Sequence, residues 1–188
     1  EPRKGQDLSI AMLDNLTDTT RAKIRLKFHG RTVDREYYNQ IAERAGQHLQ
    51  TIILGPELDQ AEARAAIREA DILLVPSRDE SFSLVVVEAL QQGVIVVCSR
   101  AVGISEFLDH GKHVFIAESP APEDLAIALE TAVANRDTWD RIRAEGARLA
   151  SNEFSDIAFK RRLMDALNGW SAIERVGTSH YELSMFTE

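Results

Sequence analysis

Five short apolar runs recur along the chain, and each ends at residues that favour turns. They occupy residues 24–28, 51–54, 71–75, 94–98 and 114–116 and consist mainly of Val, Ile and Leu. Runs of this length that are closed by Gly, Pro, Ser or similar residues are typical of buried strands. We therefore predict five strands over these residues.

Stretches with helical periodicity separate and follow these runs. We predict helices over residues 8–16, 35–45, 61–70, 83–92, 122–134, 137–150 and 155–167. Asp7 is the expected N-cap of the first helix, and Gly93 is expected to end the fourth. Strands that alternate with helices require right-handed crossovers and a parallel sheet. The predicted fold class is therefore α/β, with a doubly wound, Rossmann-like parallel sheet.

The length of the chain suits one well-packed domain and is too short for two large ones. Its 188 residues contain no linker, but the periodicity weakens near the C-terminus. We predict one domain over residues 1–168 and a C-terminal tail over residues 169–188.

Charge and cysteine content narrow the classes of partner and compartment. The formal net charge is −8, and no basic stripe is present that could neutralise nucleic-acid phosphates. The single cysteine, Cys98, cannot form an intramolecular disulfide and fits a reducing compartment. No apolar run approaches the length of a membrane span. We expect no nucleic-acid partner, no transmembrane segment and a cytoplasmic location, with a peripheral membrane location left open for a full-length form.

The richest concentration of polar residues follows the predicted strand 71–75. Ligands of open α/β sheets bind beyond the carboxyl ends of the strands, near helix N-termini. The main-chain N–H groups of Phe82, Ser83 and Leu84 open the next helix, where free N–H groups form a natural cradle for a diphosphate. The sequence therefore predicts an anion site at this strand end.

Two glutamates flank the start of that helix. If residues 80–88 were all helical, Glu80 and Glu88 would lie about 12 Å apart, too far for a glycosidase pair at about 5–9.5 Å. Glu80 could instead be a capping carboxylate, and Glu88 a solvated helix residue. Glu88 stands in a nearly all-apolar stretch, and a charge there has a buried partner or faces a ligand. This placement favours ligand contact.

These residues resemble a known family motif. The sequence E-S-F-S-L-V-V-V-E-A at residues 80–89 resembles the E-x7-E motif of retaining GT-B glycosyltransferases of the group 1 family. G-I-S-E at residues 103–106 and P-R-K-G at residues 2–5 resemble two further motifs of their donor-binding C-terminal domain. The likeness covers roughly residues 1–165 in the family's order.

The resemblance implies a role for particular residues. Lys4 would bind the donor diphosphate, Glu80 the hydroxyls of the transferred sugar, and Glu88 the ribose. The main-chain N–H groups of residues 82–84 would assist. The remaining expected donor-binding residues lie at other strand ends and loops: Gly55, Ser77, Gly103 and Glu106.

The resemblance also implies an activity. The donor would be a UDP-, GDP- or ADP-sugar, transferred with retention to an acceptor sugar, lipid or small molecule held by an absent N-terminal domain. No D-x-D sequence is present, which fits transfer without a metal or other cofactor. The fragment alone would be inactive.

The sequence departs from the family pattern in ways that affect the expected pocket. Ser83 and Val102 stand where the family has Gly, and a Cβ at either position is expected to narrow the cleft. The family's first strand and a G-R pair would fall before Glu1. We expect preceding residues to supply that strand, with residues 181–185 as an alternative.

Two other functions remain open at this point. One is a non-catalytic GT-B-like interaction module, which the departures favour and the intact glutamate pair opposes. The other is a sugar-nucleotide epimerase-like enzyme, which predicts a catalytic carboxylate or His outside the motif. The sequence offers no convincing residue for that role.

Overall fold

The computed structural model describes residues 1–174, with side chains described through residue 168. Five strands form within one or two residues of the predicted runs. They are β1 (Leu26–Phe28), β2 (Ile52–Leu54), β3 (Ile72–Val75), β4 (Ile95–Ser99) and β5 (Phe115–Ala117). Each follows a helix or turn and leads into the next helical segment, as the alternating pattern predicts.

The predicted helices form in the predicted order, with differences at their ends, and a short helix over residues 18–21 forms that was not predicted. They are α1 (Gln6–Met12), α2 (Asp18–Arg21), α3 (Arg35–Gly46), α4 (Gln60–Glu69), α5 (Leu84–Gln91), α6 (Pro122–Ala134), α7 (Trp139–Glu153) and α8 (Asp156–Glu174). Carboxylates cap the N-termini of α3 and α4. Asp34 accepts the main-chain N–H of Tyr37 at 2.9 Å, and Asp59 accepts that of Glu62 at 2.8 Å.

The expected N-cap of the first helix is wrong. Helix α1 begins at Gln6, and its N-cap is Gly5, whose φ of 72° lies in the left-handed region. Asp7 therefore lies inside the first turn, and its carboxylate turns away from the helix towards Arg78. Residues 13–15, predicted as the end of this helix, form a separate 3₁₀ turn instead.

All strand pairs are parallel, which confirms the predicted fold class. β1 pairs with β2, and β3 pairs with β4, which in turn pairs with β5. Within the described residues no strand hydrogen-bonds to both β1 and β3, so the strands form two hydrogen-bonded sheets rather than one. The expected strand before Glu1 stays a prediction, and residues 181–185 lie outside the described residues.

Strand β4 is buried on both faces, which is what a doubly wound arrangement requires. Ile95 and Val97 join a core with residues of α1, α3 and α6. Val96 and Cys98 alternate with them and are also buried, on the opposite face of the strand. Burial raises the pKa of Cys98 to about 12, so this thiol is a core residue and a poor nucleophile.

The chain divides into two compact units, residues 1–150 and residues 151–188. The first contains all five strands and every expected site residue. The domain boundary expected at residue 168 stays a prediction. In the part of the chain that the structure describes, no helix is long and apolar enough to cross a membrane.

Candidate functional site

The N-terminal segment lies against the loop that follows β3. Residues Pro2–Lys4 form a 3₁₀ turn that ends at Gly5. A Cβ on Gly5 would lie 2.2 Å from the carbonyl oxygen of Pro76, so only glycine permits this close approach. The N–H of Arg78 donates to the carbonyl of Arg3 at 2.8 Å. These contacts bring Lys4 to the carboxyl end of β3.

Lys4 and Glu80 form an ion pair at this strand end. The Lys4 ammonium donates to Oε2 of Glu80, and Nη1 of Arg3 lies 3.6 Å from Oε1. The Glu80 side chain is only 12% exposed, whereas that of Lys4 is 40% exposed. Two cations thus compensate a largely desolvated carboxylate, and the ammonium stays within reach of a ligand.

The loop that carries Glu80 is hydrogen-bonded to the loop that follows β4. The N–H of Glu80 donates to Ala101 at 3.2 Å, and the N–H of Gly103 donates to the carbonyl of Glu80 at 2.7 Å. A Cβ on Gly103 would lie 2.1 Å from the carbonyl oxygen of Ser81. Gly103 therefore acts through its missing side chain, because any larger residue would push the two loops apart.

Ser83 adopts a backbone conformation that L-residues rarely occupy. Its φ of 83° makes it the one non-glycine residue with a positive φ in the described part of the chain. Its main-chain N–H and that of Leu84 donate to no group among the described residues. Phe82 packs its ring edge-on against Phe107, with centroids 6.5 Å apart. At the start of α5, therefore, two main-chain N–H groups have no acceptor among the described residues, and they lie next to the loop that carries Glu80.

Glu88 lies in the second turn of α5, whose first residue is Leu84. Residues 80–83 are not helical, so the premise of the 12 Å separation estimated for Glu80 and Glu88 does not hold. The Glu88 side chain is 35% exposed, and Oε1 lies 4.0 Å from Nη2 of Arg64 on α4. This carboxylate therefore has a cationic neighbour and an open side.

The other expected site residues occupy different positions. Gly55 donates its N–H to Phe28 at 2.8 Å at the carboxyl ends of β1 and β2. Ser77 is 1% exposed, and its carbonyl accepts the Ser99 hydroxyl at 2.6 Å. Glu106 is exposed in the 3₁₀ turn Gly103–Phe107. The binding roles of these residues stay predictions.

The expected narrowing of the cleft by Val102 is wrong. Its side chain is fully buried, and its main chain forms a parallel β-bridge with Glu80. A side chain with no solvent exposure cannot narrow an open cleft. Ser83, at 7% exposure, is the departure that lies at the start of α5.

Sequence reasoning missed a polar network next to the ion pair. The Arg78 guanidinium binds both carboxylate oxygens of Asp7 at 2.8 and 2.7 Å, and the Tyr37 hydroxyl donates to the same carboxylate at 2.8 Å. Burial alone would raise the pKa of Asp7, but these hydrogen bonds outweigh it and lower the pKa below its ordinary value. The position of Arg78 directly after Pro76 and Ser77 was the available signal.

Metal-ligand geometry and surface pockets do not add further residues to this site. Among the described residues, no group of three or more His, Cys, Asp or Glu side chains could hold a metal ion. One surface pocket is lined by residues from 151–161 and another by residues from 21–25 and 49–53, and neither includes a candidate site residue.

Comparison with known proteins adds a family match and similar sequences. The family model "Glycosyl transferases group 1" matches residues 1–149. A D-inositol 3-phosphate glycosyltransferase of Corynebacterium glutamicum (strain R) is 32% identical over 145 residues, which are 77% of this chain and 34% of that protein. A mannosylfructose-phosphate synthase of Agrobacterium fabrum is 25% identical over 173 residues, 88% of this chain and 38% of that protein. The chain thus spans little more than a third of these relatives.

Solved structures show the same fold. Alr3699/HepE of Anabaena, in complex with UDP-glucose, superposes with a TM-score of 0.77 at 18% identity, over 90% of this chain and 46% of that one. The C-terminal domain of LpcC, a glycosyl transferase group 1 family protein of Francisella tularensis, gives 0.71 at 19% identity, over 83% of this chain and 82% of that one. The fold is that of the C-terminal half of a GT-B protein.

Proposed function

Because the chain belongs to the glycosyl transferases group 1 family, we propose that it is the donor-binding domain of a retaining glycosyltransferase. The ligand is a nucleoside diphosphate sugar, and the Anabaena complex with UDP-glucose makes UDP the first nucleotide to test. The acceptor, whether a sugar, a lipid or a small molecule, binds to a domain beyond this chain. We place the reaction in the cytoplasm.

The observation that carries this proposal is the Lys4–Glu80 pair at the carboxyl end of β3. An ammonium group has three N–H donors, and Glu80 uses one of them. Lys4 can therefore hold Glu80 in place and donate to a phosphate oxygen at the same time. The N–H groups of Ser83 and Leu84, which donate to no described residue, lie at the positive end of α5 and supply further donors for that anion.

In this proposal an extended donor lies across the domain and contacts the other site residues along its length. Glu80 accepts hydrogen bonds from hydroxyls of the transferred sugar, and Glu88 accepts them from the ribose. Arg64 on α4 lies 4.0 Å from the Glu88 carboxylate and adds a positive charge beside it. The base lies near the strand ends at Gly55 and Ser77, with the 103–106 turn closing the sugar end.

The proposed mechanism relies on electrostatic stabilisation of the leaving group. As the bond from the anomeric carbon to the diphosphate breaks, negative charge grows on the phosphate oxygen and positive charge on the sugar. In this scheme Lys4 and the N–H groups at the start of α5 stabilise the growing negative charge by donating hydrogen bonds to it. No metal ion is needed in this scheme, because Lys4 supplies the cation.

Titration calorimetry with UDP, GDP and ADP tests donor binding, and the Lys4→Ala variant tests the site. Loss of a charge-assisted hydrogen bond to phosphate is expected to weaken binding by about 10- to 100-fold. Lys112→Ala is the matched control, because Lys112 also pairs with a carboxylate, Asp109, at 3.3 Å but outside the site. Failure of all three nucleotides to bind at millimolar concentration would refute the proposed function.

A further inference from the structure

Arg78 connects three segments of the domain. Its N–H donates to the carbonyl of Arg3 at 2.8 Å, and its guanidinium donates to the carbonyl of Pro2 at 2.6 Å and to Asp7 on α1. The residues on either side of Lys4 are thus tied to the loop that carries Glu80. These contacts set the register between the segment that carries Lys4 and the loop that carries Glu80.

Tyr37 extends the connection to α3. Its hydroxyl donates to Asp7 at 2.8 Å and accepts the Asp7 N–H at 3.2 Å. Since Asp34 caps α3 through the N–H of Tyr37, the helix end that holds this tyrosine is itself fixed. The network therefore anchors the Lys4 segment to regular structure rather than to another loop.

The guanidinium of Arg78 is committed to protein acceptors. Pro2 and the two Asp7 oxygens occupy three of its five N–H donors in a bidentate geometry that Lys cannot reproduce. Among the described residues, the Lys4 ammonium donates to a single protein acceptor, Glu80, although the two side chains are about equally exposed, at 40% for Lys4 and 39% for Arg78. The two neighbouring cations thus differ in how firmly protein acceptors hold them, Arg78 by three hydrogen bonds and Lys4 by one.

We propose that Arg78 is a positioning residue that holds the Lys4 ammonium in place for the donor diphosphate without contacting the donor. This inference rests on the proposed function. It differs from direct phosphate binding by Arg78 and from a general contribution to folding. The three roles predict different effects on a nucleoside diphosphate and on the nucleoside that lacks its phosphates.

The test compares the affinities of UDP and uridine, or of the best-bound nucleotide and its nucleoside, in Arg78→Gln. A positioning role predicts about tenfold weaker UDP binding and less than a twofold change for uridine, since only the phosphate contact is lost. The double variant with Lys4→Ala should bind UDP no more weakly than Lys4→Ala alone. Arg148→Gln, which removes a surface arginine paired with Glu145 at 2.7 Å, is the control and should change neither affinity.

Each other outcome overturns the inference. Additive losses in the double variant would make Arg78 a direct phosphate ligand, and equal losses for UDP and uridine would make its role one of folding. Unchanged UDP binding would mean that Lys4 needs no support. Asp7→Asn repeats the test by removing the other half of the contact, should Arg78→Gln not fold. If the wild-type protein binds no nucleotide at all, the proposed function itself fails.

Discussion

Ser83 shows how a single residue at the site can store conformational free energy. It is the N-cap of α5 with φ 83° and ψ 84°, and its side chain makes no capping hydrogen bond that could offset the cost. A left-handed conformation costs a residue with a Cβ about 1–2 kcal/mol. Glycine, which stands at this position in the family pattern, carries no such cost.

We therefore expect Ser83→Gly to stabilise the protein. The free energy of unfolding should rise by about 1 kcal/mol, after subtraction of the greater freedom of glycine in the unfolded chain. Urea denaturation of the wild type, Ser83→Gly and Ser83→Ala measures this effect. Ser83→Ala keeps the Cβ and should bring no gain, and equal stability of the two variants would argue against strain at this position.

At the scale of elements, periodicity predicted the strands and long helices well. The burial of one or both faces of an element determines which of its positions are apolar, and this produces the periodic pattern. Strand β4 is buried on both faces, and a strand in that position has a continuous apolar sequence. The run at residues 94–98 is such a sequence. The turn at Pro2–Lys4 and helix α2 are too short to leave a periodic signal. The Arg78–Asp7 contact joins residues 71 positions apart, and no local pattern encodes such a pairing.

The loops after β3 and β4 are held together by main-chain contacts that no local sequence pattern encodes. Gly103→Ala should destabilise this arrangement, because the new Cβ would lie 2.1 Å from a main-chain oxygen that can move only with its loop. We expect a loss of about 1–3 kcal/mol in unfolding free energy, together with weaker nucleotide binding as Glu80 shifts.

Gly46→Ala provides the control for this substitution. Gly46 is the last residue of α3, and a Cβ there would meet nothing within 4 Å. Alanine favours helix over glycine by about 1 kcal/mol, so this variant should be at least as stable as the wild type. Thermal unfolding compares the stabilities of the two variants. A Gly103→Ala protein as stable as Gly46→Ala would contradict the close loop contact.

At the scale of the whole molecule, a fall in pH has two opposite effects on stability. One acts through the net charge and the other through a buried histidine. The net charge of −8 means that mild acidification relieves repulsion between carboxylates. His113 opposes this gain, because it is 5% exposed and its Nδ1 accepts the N–H of Asp109 at 3.0 Å. Burial, assisted by Lys112, lowers the pKa of His113 below its ordinary value of 6.5.

The sign of the His113 effect follows from which state binds the proton. Below pH 6.5 the unfolded chain protonates this histidine while the folded chain resists, so stability present above that pH is lost as the pH falls. In His113→Asn the side-chain oxygen can accept the same N–H without titrating, so the wild type should lose stability relative to the variant between pH 7 and 5. Urea denaturation across that range measures the difference, with exposed His29→Asn as the control. A wild-type-to-variant difference that stays constant with pH would show that His113 titrates alike in the folded and unfolded chains.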